Sequence, residues 1–335
     1  MQEFKHYQAA HCENGVTVGL LKQVGLEQIT EPLAFGIGSG LFYIEIPFLK
    51  LQSGPAISFR TFPGNIFKRT CKAFDVQLYS KKYRDEIKGM NELDALLAQG
   101  KSVGCQVGVF HLSYYPKEYR FHFNAHNLIA FGKEGNDYLV SDPVMEDTTR
   151  LSQQAMRKVR FAKGVLAPKG HIYYPTSIGI VTQDKLIKAI KTCIKRNCRD
   201  MLRIPASFIG TSGINYTAKN IRKWKDKLGD RKAALYLGQI VRMQEEIGTG
   251  GGGFRYLYAA FLEEAAAITR NDELLLVSEK ITKAGDMWRD SAVQMAGIYK
   301  GRLTTQADYN HSADILNAIS ALEKEAFLEL DKIKL

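Results

Sequence analysis

The run HNLIAFGKEGNDYLVSDP (126–143) decides how the chain is read. Two apolar stretches flank KEGN at 133–136, where glycine supplies the positive φ of a turn, so the run reads as a β-hairpin. The pairing places His126 opposite Asp142 or Pro143, on the same face of the ladder, with Cβ atoms about 5 Å apart. An imidazole beside a carboxylate is the orienting half of a nucleophilic triad. The acid fixes the tautomer and stabilises the imidazolium. The plainer readings are a core histidine and a turn-opening Asp-Pro pair.

Such a pair needs a nucleophile, and the N-terminal stretch AHCENGVTVGLLKQVG (10–25) offers one. Glu13 to Val24 reads as a helix stopped by Gly25, so Cys12 stands just before a helix N-terminus. The partial positive charge and free N–H groups there favour a thiolate, and the same N–H groups can cradle an oxyanion. Nucleophile on a helix start, then His126, then Asp142 on a downstream hairpin is the chain order of papain-like enzymes. A small packing residue is the ordinary alternative for Cys12.

The hairpin resembles the histidine-to-aspartate hairpin of papain-like cysteine enzymes related to bacteriocin-processing peptidases. The match is closer to the butirosin biosynthesis protein H family. Its members carry an HC pair near the N-terminus and an FGxGSG stretch, here His11-Cys12 and Phe35 to Gly40. The helical second half, with GTGGGGFRYLYAAFLEEAA from 248, also looks like the domain that accompanies this one in that family.

The resemblance implies acyl transfer, from a carrier-protein phosphopantetheine thioester to an amine. Cys12 would carry the acyl group, His126 would deprotonate thiol and amine, and Asp142 would orient His126. An acyl carrier protein or another acidic donor and a small amine acceptor are the implied partners. No permanently bound cofactor is implied. A thiol peptidase or amidohydrolase is the competing enzyme. Those peptidases carry an oxyanion-hole glutamine about six residues before the cysteine. Position 6 is His6 here, and Gln8 is the nearest glutamine. A catalytically silent binding module is the non-enzymatic alternative.

Further candidates for contact with substrate or oxyanion are His11, Gln8, and Gly36, Gly38 and Ser39 of the glycine-rich stretch. In GTGGGGFR (248–255), Gly251 and Gly252 with Arg255 can form an anion nest for a phosphate, or a lid; a plain interhelical loop is the alternative. The lysine-serine pair of a nucleotide-binding P-loop is missing. His111 and His122 have no partners at metal-ligand spacing, so no metal is expected.

The 335 residues allow two domains, and 45% hydrophobic with 24% charged residues is ordinary globular composition. Apolar runs are too short to span a bilayer, and Glu3, Lys5 and His6 stand where an export signal would be apolar. Five scattered cysteines without CxxC spacing point to a reducing, cytoplasmic setting; Cys193 and Cys198 read as packing residues. The net charge of +11 is dispersed without a nucleic-acid signature, and suits an acidic protein partner better than nucleic acid.

The expected fold is α+β: a papain-like domain over 1–175, followed by an all-α domain over 176–335. In the first, EPLAFGIGSGLFYIEIPF (31–48) reads as loop then strand, with short helices at 65–74 and 91–98 and strands at SVGCQVGVFHL and GHIYYP. In the second, apolar recurrence at three and four residues marks about six helices.

Overall fold

The computed structural model describes residues 4–51 and 54–335. In chain order these form α1 (Cys12–Gln23), α2 (Glu31–Ile37), β1 (Leu41–Leu51), β2 (Gly54–Arg60), α3 (Asn65–Ala73), β3 (Gln77–Lys81) and α4 (Glu86–Ala98). There follow β4 (Val103–Val107), β5 (His126–Glu134), β6 (Asp137–Ser141), β7 (Thr149–Ser152), α5 (Gln153–Arg160) and β8 (Ile172–Ser177). Six further α-helices follow: α6 (Gln183–Leu202), α7 (Gly210–Leu228), α8 (Asp230–Val241), α9 (Arg255–Thr269), α10 (Glu273–Tyr299) and α11 (Gln306–Leu330). The chain is thus mixed α/β with a helical C-terminal region.

Two compact units share these elements. The first comprises the chain up to Ala34 together with Ile66–Thr182; the second comprises Phe35–Asn65 and Gln183–Leu335. Residues 35–65, expected within a 1–175 domain, group with the C-terminal helices in the second unit. The reason is apolar packing in the β1–β2 hairpin. Tyr43 and Phe59 are buried against Trp288 of α10, with ring centroids 5.8 and 5.1 Å away, and the Tyr43 hydroxyl donates to Thr217 of α7 at 2.7 Å. No local pattern within 35–65 names those partners.

The first unit is built on a six-stranded sheet in the order β3-β8-β4-β5-β6-β7. Every pairing in it is antiparallel. The β5–β6 hairpin is tighter than expected. Its ladder continues to Glu134 opposite Asp137, so the turn is the two residues Gly135-Asn136, with Gly135 at φ +58°. A bulge at Phe131 then shifts the register, and the ladder ends at Ile129 opposite Ser141. The expected His126–Asp142 ladder pair therefore does not form: His126 pairs with Val107 of β4, and Asp142 lies just beyond β6.

Helix α1 packs on this sheet and is buried from Cys12 to Leu21. Two glycines one turn apart permit its close approach. A Cβ on Gly15 would lie 2.3 Å from the Pro143 Cβ, and one on Gly19 would lie 2.8 Å from Ile129. The start of α1 is thereby pressed against the Asp142-Pro143 turn.

The segment expected as a loop before β1 is helical. Helix α2 runs to Ile37 and ends with Ser39 N–H on the Gly36 carbonyl and Gly40 N–H on the Phe35 carbonyl, both at 2.8 Å. Ser39 takes φ +48°. This is the left-handed termination in which two returning N–H groups satisfy the last carbonyls. The glycines hid a helix rather than marking a loop.

Candidate active site

The structure brings Cys12, His126 and Asp142 together within the first unit. Nε2 of His126 is 2.7 Å from Oδ2 of Asp142, and Cys12 lies within hydrogen-bonding reach of the same imidazole. All three are buried, with Cys12 retaining 7% exposure, His126 5% and Asp142 none. Local turn chemistry makes the meeting possible. Asp142 opens a turn in which its Oδ1 accepts from Val144 N–H at 3.3 Å and its carbonyl from Met145 N–H at 3.0 Å. The turn-opening role and the imidazole contact thus belong to one residue.

Two tyrosines hold the carboxylate. Tyr114 donates to Oδ2 of Asp142 at 2.7 Å and Tyr115 donates to the same oxygen at 3.2 Å, with its hydroxyl also 3.3 Å from His126 Nε2. Burial, and then the Asp142 charge, pushes both phenols up, so they remain donors. On the loop that carries them, Arg120 donates to the carbonyls of Tyr115 and Ser113 at 2.8 and 2.6 Å. For His126, burial works towards the neutral ring. The Asp142 charge, Cys12 and the hydrogen bonds to both outweigh it and hold the imidazole well above its ordinary range. That direction favours the imidazolium form of His126.

The start of α1 is fixed from below by Glu31. Its carboxylate accepts from Ala10 N–H at 2.9 Å, His11 N–H at 2.8 Å and the Asn14 side chain at 3.4 Å. His11 is the N-cap of α1, its Nδ1 accepting from Asn14 N–H at 3.4 Å. Cys12 opens the helix at a position whose N–H has no acceptor within the helix. Upstream, His6 bridges Ser141 Oγ at 2.8 Å and Met145 carbonyl at 3.1 Å, and Ala9 N–H donates to the Pro143 carbonyl at 2.7 Å. Gln8 is exposed, unlike the buried cluster.

Beside the cluster stands a residue that sequence reasoning missed. Asn127 is 5% exposed, with Nδ2 4.0 Å from the Cys12 sulfur and 3.1 Å from the Ala125 carbonyl. Its Oδ1 accepts from Tyr173 at 2.8 Å. Tyr114, Tyr115, Tyr173 and Glu31 were missed as well. The only available signal was the adjacency of Asn127 to His126.

The glycine-rich candidates belong to the second unit and are used in packing. Gly36 has no room for a side chain, since a Cβ would meet the Phe261 ring at 2.1 Å. Gly38 and Ser39 form the end of α2, and the Phe35 ring stacks on Phe254 at 5.2 Å. The phosphate-nest reading of GTGGGGFR is corrected by its own partners. Gly252 N–H donates to the Glu245 carboxylate at 3.1 Å, and Gly251 N–H donates to Thr249 Oγ1 at 3.0 Å. Arg255 is fully buried and spends its donors on Glu323, at 2.8 and 2.9 Å, and on the Gly253 carbonyl, at 2.7 Å. The indole N–H of Trp288 donates to the same glutamate at 2.7 Å. Arg255 is an internal strut, closed off from the surface where a phosphate would lie.

The four remaining cysteines are buried as well. Burial pushes Cys71 up to about 12, Cys105 up to about 11 and Cys198 up to about 12, and raises Cys193 further. All are free thiols. Among the described residues, no group of three or more His, Cys, Asp and Glu side chains is placed to hold a metal ion, and no helix is long and apolar enough to cross a membrane.

Fold and site together define a mixed α/β protein that buries a Cys–His–Asp cluster at the start of a helix and carries a helical C-terminal region. The N-terminal region belongs to the butirosin biosynthesis protein H-like family. Residues 11–143 match the family described as Butirosin biosynthesis protein H, N-terminal, and residues 154–330 match Domain of unknown function (DUF4872). No curated protein matches the chain.

Proposed function

We propose that the protein is a papain-like, cysteine-dependent acyltransferase of natural-product biosynthesis. The observation that carries this reading is the placement of His126 between Cys12 and the buried Asp142, 2.7 Å from the carboxylate. The Cys12 thiolate attacks the carbonyl of an acyl thioester. A new Cys12 thioester forms, the donor C–S bond breaks, and the His126 imidazolium gives its proton to the departing thiolate. An amine then attacks the acyl-enzyme. Neutral His126 takes a proton from that nitrogen, the amide forms, and the Cys12 thiolate leaves. Asp142 orients the ring throughout and offsets the charge it acquires. The N–H of Cys12 at the start of α1 faces the developing oxyanion.

Family membership supports a biosynthetic role, and the net charge of +11 suits an acidic donor such as an acyl carrier protein bearing a phosphopantetheine thioester. Five free thiols suit a cytoplasmic setting. A peptidase reading shares the same three residues but has less behind it. The position where such enzymes carry their glutamine is His6, tied to Ser141 and Met145, and Gln8 is exposed.

The test is partition of the acyl group. With a simple acyl thioester and a small primary amine, the expected product is amide well in excess of free acid. Free acid alone, whatever the amine concentration, assigns the protein to the hydrolases and overturns the transferase reading.

A further inference from the structure

The Asn127 amide has one orientation open to it. The Ala125 carbonyl, 3.1 Å away, can only accept, so nitrogen must face it. The oxygen then faces the Tyr173 hydroxyl, which must donate across the 2.8 Å between them. Burial, with the nearby Glu13 and Cys12 adding to it, holds the Tyr173 phenol well above its ordinary range, so that donor persists at any working pH. One Nδ2 hydrogen is spent on Ala125. The other is left for the Cys12 sulfur at 4.0 Å, a separation at the long end for an N–H to sulfur bond. Both side chains of the pair are buried, so water competes poorly for that hydrogen.

We propose that Asn127 is a further catalytic residue: its amide N–H, oriented by Tyr173, donates to the Cys12 sulfur and holds it as the thiolate. A charge-assisted bond of this kind favours the ionised form over the thiol and so lowers the thiol pKa. It complements His126, which supplies the opposite charge, with a neutral donor from the next residue along β5. As the sulfur loses its charge on acylation, the bond weakens and the N–H becomes free for the acyl oxygen. Tyr173 is a positioning residue, acting only through the amide it fixes.

The inference rests on Cys12 being the nucleophile, and its test reads ionisation of the thiol rather than acyl transfer. Iodoacetamide alkylation of Cys12 is followed by peptide mass against pH in the wild type, Asn127→Leu and Tyr173→Phe. Leucine removes the donor at similar volume without adding charge. The expected result is an alkylation midpoint raised by about one pH unit in Asn127→Leu, with a correspondingly lower rate below it, and a smaller rise in Tyr173→Phe. A folded Asn127→Leu variant with the wild-type midpoint overturns the assignment. Should that variant not fold, Tyr173→Phe decides alone: a raised midpoint supports the role and an unchanged one overturns it. Slow alkylation of Cys12 in the wild type itself is a different failure, that of the nucleophile reading.

Discussion

Nε2 of His126 lies 2.7 Å from Oδ2 of Asp142 although the two residues are partners in no ladder. Side-chain reach from a turn, secured by Tyr114 and Tyr115, makes the contact that strand register does not. Asp142→Asn keeps the shape and the turn but removes the charge that stabilises the imidazolium. Transfer should fall on the order of 10³-fold while the melting temperature stays close to wild type. Steady-state rates and thermal melts of the one variant check both halves.

Close packing at Gly15 sets where Cys12 stands. With only 2.3 Å to the Pro143 Cβ, a methyl group there must lift α1 from the turn. Gly15→Ala should cost about 1–3 kcal/mol of stability and lower transfer at least about 100-fold, because a displacement near 1 Å at a reacting group is enough for that. Urea unfolding alongside kcat measures the two effects; a wild-type rate would show that the approach of α1 does not set the geometry.

In the helical unit, Arg255 and Glu323 form an ion pair with no exposure on either side chain. Arg255→Met leaves a buried carboxylate without its cation and should cost about 3–5 kcal/mol. Pairing it with Glu323→Leu should return much of that loss. Chemical unfolding of the single and double variants, fitted for the helical unit, tests the strut.

His171 is held neutral by burial, its pKa lowered to about 4 from an ordinary 6.5, with Ser80 Oγ 3.0 Å from its Nε2. The unfolded chain therefore binds a proton that the folded chain refuses between those values. Stability from this group is complete above about pH 6.5 and is lost as pH falls towards 4, up to about 3 kcal/mol. His171→Gln should flatten the acid limb of a stability–pH curve; an unchanged slope would assign the acid sensitivity elsewhere.

Much of this arrangement was legible in the linear chain. HN and DP around a glycine turn, with a cysteine opening a helix, pointed to the three residues that meet. The details went astray where local pattern underdetermines geometry. KEGN read as a four-residue turn, but only Gly135-Asn136 is needed, and the Phe131 bulge moves the register again. The glycines at 36, 38 and 40 suggested a loop, whereas they bracket a helix end, and Gly36 leaves room for the Phe261 ring. Arg255 beside four glycines suggested a phosphate site because its partner, Glu323, lies 68 residues away. Asn127, Tyr173, Tyr114 and Tyr115 had no pattern to announce them, since their roles exist only once β4, β5 and β8 lie side by side.

Direct detection of the acyl-enzyme bears most on the proposed chemistry. After brief incubation with an acyl thioester and an acid quench, intact and peptide masses should show one acyl group on the peptide containing Cys12, none on Cys71, Cys105, Cys193 or Cys198, and none in Cys12→Ala. Amide formation that continues undiminished in Cys12→Ala, with no acyl group ever found on Cys12, would contradict it.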